Sequence, residues 1–232
     1  MKIIALLSLL LTAAFGIRQD PTTPATGSSG ADSEAVLSEM DRSASGFKSA
    51  TAVFEWDNYQ KAVDETDKQA GKVYFRRNGP DAEAMFDITE PNPKQVLFKG
   101  GTLSLYDKKI NQVTEHKTAN KGDVEAFLGL GFGARGHDLP KNYDIKMDGW
   151  ETVDGTRVAK LELVAKSEKV RNMFSKFILW IDPKQDVPLK QQVLEPNGDY
   201  WISHYTRFKL NSRISEDVFH LKTDSGTKIV RQ

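Results

Sequence analysis

Residues 143–165 read YDIKMDGWETVDGTRVAKLELVA and carry the clearest strand and turn signals of the chain. Asp154-Gly155 separates two runs, Tyr143–Val153 and Arg157–Ala165, in which apolar and polar side chains alternate. Asp-Gly favours a type I′ turn, because both central residues of that turn need a positive φ. Alternation is typical of antiparallel strands that bury one face. The stretch therefore predicts a β-hairpin.

The same pattern continues on both sides of this hairpin. Asn78-Gly79-Pro80, Gly100-Gly101 and Asn197-Gly198 each separate further alternating runs. The last of these turns predicts a second type I′ hairpin, formed by strands Leu189–Glu195 and Tyr200–Phe208.

One run differs, since Phe174–Asp182 is apolar on both faces. This favours a central position in the sheet. In total the turn spacing predicts about eleven strands in hairpin order. We therefore expect a mainly β chain that forms a large curved antiparallel sheet or barrel, with a few helices.

Helical spacing of apolar residues occurs twice. Val36, Leu37, Met40 and Ala44 predict a first helix, which Asp32 or Ser33 would cap and Gly46 would end. The second helical segment has Val124, Phe127, Leu128 and Leu130 and runs into the glycine-rich residues 129–133. Because glycine weakens a helix by about 1 kcal/mol relative to alanine, we expect this segment to be loosely held. It suits a lid over an apolar pocket, and equally a short helix that plugs one end of the sheet.

The N-terminus has the pattern of an exported protein. Lys2 precedes an apolar run, and Ala14-Phe15-Gly16 supplies the small residues of a cleavage site, so residues 1–16 predict a signal peptide. The apolar run is shorter than the about 20 residues that a membrane span needs. Residues 17–33 are mainly Pro, Thr, Ser, Gly and Ala and predict a flexible leader. One folded domain, residues 34–232, follows.

Composition excludes several classes of function. The 232 residues include no cysteine, so disulfides, thiolate metal sites and cysteine nucleophiles are excluded. Lys+Arg 32 balances Asp+Glu 32, which argues against a nucleic-acid partner. The four histidines lack metal-ligand spacing, and no nucleophile elbow or phosphate loop is present. We therefore expect a protein that is not an enzyme and has no metal and no cofactor.

Three local motifs, in the right order, resemble the periplasmic outer-membrane lipoprotein carrier (LolA) family. Residues 71–77, Gly-Lys-Val-Tyr-Phe-Arg-Arg, are similar to the family's Gly-x-hydrophobic-aromatic-hydrophobic-Lys-Arg strand. Residues 98–106, followed by Gln112-Val113, resemble its second hairpin, with Ser104 in place of a tryptophan. Val218-Phe219-His220-Leu221 with Gly226 and Val230 is similar to its closing strand. Phe86 stands where the family has a second tryptophan.

The resemblance implies an unclosed antiparallel barrel with an α-helical lid over a hydrophobic cavity. It also implies a periplasmic carrier that takes acylated lipoproteins from an inner-membrane ABC transporter and delivers them to an outer-membrane acceptor. By position, Arg77 matches the arginine that latches the family's lid through backbone carbonyls, although Arg76 lies beside it. We expect a monomer. A carrier of another lipid, or a sensor that uses the same half-barrel to bind a partner protein, are the alternatives.

Nine apolar residues are candidates for lining the lipid cavity, on the strands and in the glycine-rich segment. They are Phe54, Trp56, Val73, Phe75, Phe86, Leu105, Phe127, Leu130 and Phe132. Each taken alone is also an ordinary core residue, so only the set, if it faces a void, indicates a binding site.

Overall fold

A computed structural model describes residues 29–78, 81–117 and 130–231. Twelve strands form one sheet. They are β1 (Ser49–Gln60), β2 (Glu65–Asn78), β3 (Asp81–Glu90), β4 (Lys94–Lys99), β5 (Thr102–Asp107), β6 (Gln112–Lys117), β7 (Tyr143–Val153), β8 (Thr156–Ala165), β9 (Lys176–Asp182), β10 (Val187–Leu194), β11 (Tyr200–Leu210) and β12 (Lys228–Arg231). The predicted signal peptide and the second helical segment up to Gly129 lie outside the described residues.

The strand order is β12-β6-β5-β4-β3-β2-β1-β11-β10-β9-β8-β7. All neighbours are antiparallel except β12 and β6, which run parallel. Strands β12 and β7 end the sheet, and in the part of the chain that is described they do not pair with each other. The prediction of a mainly β, unclosed antiparallel barrel is therefore confirmed.

The described residues contain twelve strands where about eleven are predicted; of the predicted closing strand, Val230 lies in β12, whereas Val218 and Phe219 lie in a 3-10 helix, Glu216–Phe219. The β12 residues Lys228–Arg231 are largely exposed. The strand forms through its backbone, with Ile229 opposite Val113. Arg231 adds a side-chain bond of 3.0 Å to Glu115, but a strand held mainly by main-chain bonds leaves little signal in its side chains.

The predicted hairpins are present, but one turn type is wrong. At Asp154-Gly155 both residues have positive φ, 50° and 76°, as a type I′ turn requires. At Asn197-Gly198 only the glycine does, with φ 92°. Two backbone hydrogen bonds of Glu195 close this loop instead. The Gly198 N–H donates to the Glu195 carbonyl at 3.1 Å, and the Glu195 N–H donates to the Asp199 carbonyl at 2.8 Å.

Within the described residues, three α-helices accompany the sheet. They are α1 (Ser29–Gly46), α2 (Leu139–Asn142) and α3 (Glu168–Met173). Helix α1 ends at Gly46 as predicted, but it begins at Ser29 instead of at Asp32 or Ser33, so the leader predicted to reach residue 33 is too long. Small polar residues can extend a helix that is already nucleated downstream, since each added residue gains a hydrogen bond. No helix of the described residues is both long and apolar enough to span a membrane.

Helix α1 covers one end of the inner face of the sheet. Val36, Leu37 and Met40 are at most 6% exposed and pack with residues of β7, β8 and β9. A second cluster lies on the inner face of β1, β2 and β3 and includes Phe54 and Phe75. The space between these two clusters holds the candidate site.

Candidate functional site

A cavity of about 390 Å³ lies on the inner face of the sheet. Side chains from eight strands and from residues 130–132 form its wall. They are Trp56, Asn58, Gln69, Phe86, Val96, Leu103, Leu130, Phe132, Phe177, Leu179, Gln191, Val193, Trp201, Ser203 and Tyr205. None of these described side chains carries a charge. The volume falls within the range of about 300–1,000 Å³ that is usual for small-molecule sites.

Four of the nine predicted lining residues are on the cavity wall. Trp56 comes from β1, Phe86 from β3, and Leu130 and Phe132 from the glycine-rich stretch. The rings of Trp56 and Phe86 are 5.2 Å apart. Phe127 lies outside the described residues.

The other four occupy different places. Phe54, Val73 and Phe75 are 0%, 2% and 3% exposed and belong to the hydrophobic core beside the cavity. They share the inner face with Trp56 and Phe86, but neighbouring side chains cover them. Leu105 is 37% exposed and is not on the wall, although its neighbour Leu103 is. Alternation gives the face of a strand, whereas the position along the strand decides contact with the cavity.

Residues 130–136, Leu-Gly-Phe-Gly-Ala-Arg-Gly, form the glycine segment, which is packed tightly. Leu130 and Phe132 are each 3% exposed. A Cβ on Gly133 would overlap the Phe47 ring, and one on Gly136 would overlap the Leu37 backbone. The expectation of a loosely held segment is therefore wrong for these residues. The glycines allow the backbone of the segment to approach Leu37 in α1 and Phe47 directly after it.

Arg77 and Arg76 point to opposite faces of β2. The Arg77 guanidinium donates a hydrogen bond to the Gly133 carbonyl of the glycine segment. Arg76 donates to Glu83 at 2.7 Å and stacks 4.0 Å from the Phe219 ring on the outer face. Of the two candidates, only Arg77 therefore contacts the glycine segment.

Asp186, in the turn between β9 and β10, holds the same glycine from the other side. Its carbonyl accepts a hydrogen bond of 3.1 Å from the Gly133 N–H. Its side chain is fully buried, and neither carboxylate oxygen has a hydrogen-bond partner among the described residues. Burial raises the pKa of this carboxyl to about 8, with the positive charge of Arg77 opposing the shift and Asp41 adding to it.

A polar chain crosses the cavity wall at Leu130. The Tyr205 hydroxyl donates to the Gln191 Oε1 at 3.0 Å, and the Gln191 amide donates to the Leu130 carbonyl. Burial raises the pKa of Tyr205 to about 12, so this hydroxyl stays protonated. The first residue of the glycine segment is thus tied to β10 and β11.

His137, directly after the glycine segment, binds α1. Its backbone N–H donates to Asp41 at 3.2 Å, and its ring contacts Asp41 through Nδ1 and Glu34 through Nε2, the latter at 2.9 Å. The hydrogen bonds to Asp41 and then to Glu34 raise the pKa of His137. The segment is therefore anchored at both ends.

Sequence reasoning missed the polar part of this site. Asn58 follows Trp56 at the strand period on β1, and Trp201, Ser203 and Tyr205 follow one another in the same way on β11. These four residues can be predicted if the two-residue period of the inner face is applied to polar side chains as well as apolar ones. Asp186 gave no such signal, because it lies in a turn. The described residues contain no group of three or more His, Asp or Glu that could hold a metal ion.

An uncharged cavity inside an open antiparallel sheet defines the class: a half-barrel with a mainly apolar cavity on its inner face. Residues 45–222 match the family described as "Outer membrane lipoprotein carrier protein LolA". The chain belongs to this family.

The relatives have low identity to this chain. An outer-membrane lipoprotein carrier protein of Cupriavidus necator is 27% identical over 168 residues, which are 72% of this chain and 72% of that protein. A solved structure of an uncharacterized conserved protein from Thermus thermophilus has a TM-score of 0.54 at 11% identity, covering 87% of this chain and 99% of that one. The crystal structure of MucB gives 0.52 at 15% identity and covers 86% of this chain but 66% of MucB. These two structures show the shared fold.

Proposed function

We propose that this chain is a periplasmic carrier that holds the acyl chains of lipoproteins in its cavity and shuttles them from the inner to the outer membrane. The observation that carries the proposal is the uncharged cavity of about 390 Å³ on the inner face of an open sheet. Membership of the LolA family and the name of the Cupriavidus necator relative support it.

The cavity wall supplies the binding energy. Each CH₂ group that moves from water into an apolar site contributes about 0.8 kcal/mol. In this proposal Trp56, Phe86, Leu130 and Phe132 contact the chain directly. Phe54, Val73 and Phe75 support the wall from the core side.

Release requires part of that energy to be offset. In this proposal a bound acyl chain displaces the glycine segment from part of its contacts, so its net affinity falls by the free energy of breaking them. Arg77 acts as the latch, because it donates to the Gly133 carbonyl and its charge disfavours permanent burial. Asp186 and Gln191 hold the same segment.

The proposed role is binding and transfer without a chemical step. Residues 1–16 export the chain to the periplasm as a cleaved signal peptide. An inner-membrane ABC transporter loads the carrier, an outer-membrane acceptor unloads it, and the carrier acts as a monomer without a cofactor.

Native mass spectrometry of the protein purified from the periplasm tests the proposal. We expect co-purifying triacylated lipoprotein, lost in Phe132→Ser but kept in Val164→Ser, a control on the outer face of β8. Free phospholipid in place of lipoprotein would reassign the cargo. Finding nothing bound, with a fluorescent acyl probe also excluded, would overturn the proposal and favour a partner-binding module.

A further inference from the structure

One end of the cavity carries two carboxamide side chains. Asn58 on β1 lies opposite Trp201, and Gln69 on β2 lies opposite Trp56. Both side chains are on the cavity wall and half-buried. Neither carboxamide hydrogen-bonds to another side chain or backbone group of the described residues.

The other end of the cavity is closed, and the Tyr205 hydroxyl and the Gln191 carboxamide are paired there. Leu130, Phe132 and Tyr205 are each 3% exposed there. The Tyr205 hydroxyl and the Gln191 amide already bind each other and the segment. The β1–β11 register pairs Phe54 with Tyr205 and Asn58 with Trp201, so four residues of strand, or about 14 Å, separate the two ends.

The chemistry of the carboxamide end favours an uncharged ligand group. A carboxylate or phosphate placed there would lose part of its hydration without gaining a cation, since no described wall residue is charged. A carboxamide N–H donates to a carbonyl oxygen, and its own oxygen accepts from an N–H. Esters and amides supply such groups without a charge.

We propose that Asn58 and Gln69 bind the ester or amide group that joins an acyl chain to the rest of the ligand, while the hydrocarbon chain extends toward Phe132. The cavity therefore takes acyl esters and acyl amides in preference to free fatty acids. This inference rests on the proposed function, because it concerns the ligand of the same cavity.

Displacement of a fluorescent acyl probe from the full chain tests the preference. The competitors are a fatty acid, its methyl ester and its primary amide, at about pH 8 so that the acid is ionised. We expect the ester and the amide to bind about tenfold more tightly than the acid. Asn58→Leu combined with Gln69→Leu should weaken ester binding by about the same factor.

Two further variants keep the test decisive. Gln192→Leu, one residue from Gln191 and on the outer face of β10, is the matched control and should bind like the wild type. Asn58→Asp keeps the shape, removes the N–H donor, and should weaken ester binding even if the double leucine variant folds poorly.

A separate experiment measures the orientation of the acyl chain in the cavity. In a Trp56→Phe background Trp201 is the remaining tryptophan on the described wall. A bromine next to the ester group should quench the fluorescence of Trp201 more strongly than a bromine at the far end of the acyl chain. The reverse order would overturn the inference.

The outcomes separate the two proposals. Equal binding of ester and acid, unchanged in the Asn58 and Gln69 variants, would overturn this inference and leave carriage intact. Failure of every acyl probe to bind would overturn the proposed function itself.

Discussion

At the scale of single residues, the buried carboxyl of Asp186 makes the stability of the fold depend on pH. Its carboxylate is fully buried without a hydrogen-bond partner among the described residues, and burial raises its pKa to about 8. An acid whose pKa is raised in the folded state stabilises the fold fully only below its ordinary pKa. That stability is lost as the pH rises through the folded-state value.

Asp186→Asn should therefore raise the stability at about pH 9 by about 1–3 kcal/mol and change it little at about pH 4. The backbone tolerates the change, because asparagine adopts the positive φ of 53° found here. Thermal unfolding of both proteins at the two pH values checks this. A variant that is less stable than the wild type at the higher pH would contradict the burial argument.

Arg77 should control how often the glycine segment opens. Arg77→Gln removes the charged donor to the Gly133 carbonyl, which costs about 0.5–1 kcal/mol because Arg77 is exposed. Amide hydrogen exchange at Gly133 should then become about threefold faster. Arg76→Gln is the matched control, since Arg76 pairs with Glu83 on the outer face. In this variant the exchange rate at Gly133 should match that of the wild type. Equal acceleration in both variants would contradict a specific contact.

These residues also show what a sequence alone can indicate. Alternation along β2 put Arg77 on the same face as Val73 and Phe75, and the structure agrees. Asp186 was not foreseen, because the burial of a turn residue depends on segments distant in sequence. Its neighbour Gly133 comes from 53 positions earlier, as the numbering shows.

At the scale of elements, the packing of α1 on the glycine segment depends on Gly136. A Cβ at this position would overlap the backbone of Leu37 in α1. Gly136→Ala should therefore lower the stability by about 1–3 kcal/mol, the usual cost of overpacking. Gly30→Ala is the control, since nothing lies within 4 Å of its would-be Cβ. Chemical denaturation measures both, and equal midpoints would contradict the close contact.

The contact of α1 with His137 should depend on pH. Asp41 and Glu34 raise the His137 pKa, so the stabilisation is complete below its ordinary value of 6.5 and is lost as the pH rises through the raised value. His137→Gln should therefore lose more stability at about pH 6 than at about pH 9. Thermal unfolding at both values checks this. A difference that does not vary with pH would show that the imidazole charge plays no part.

Elements differed in how well they could be predicted. The hairpin of β7 and β8 has its turn chemistry and alternation in one continuous stretch, and its prediction is confirmed. Strand β12 has neither signal, because it forms through backbone hydrogen bonds to β6. The start of α1 at Ser29 also has neither signal, because it extends a helix that forms further along the chain. The prediction that the glycine segment is loosely held is wrong. Helix propensity describes isolated helices, whereas contacts with Phe47 and Leu37 hold this segment in place.

At the scale of the whole molecule, an unclosed sheet explains how an apolar cavity can exist in an ordinary globular chain. A closed small barrel fills its interior with side chains, whereas this sheet leaves about 390 Å³ between two core clusters. The segment that borders the cavity is fixed by polar contacts at Leu130, Gly133 and His137. Breaking them would also uncover Leu130 and Phe132, which belong to the two core clusters.

Binding of an acyl chain in the cavity is tested most directly by the affinity of a fluorescent acyl probe for the wild type and for Val193→Phe. Val193 is 5% exposed and lines the cavity, so the larger ring should occupy ligand space. Val164→Phe, on the outer face of β8, is the control.

We predict at least about tenfold weaker probe binding for Val193→Phe, with the wild-type affinity kept by Val164→Phe. Unchanged binding by the filled-cavity variant would contradict the account, because the acyl chain would then bind elsewhere.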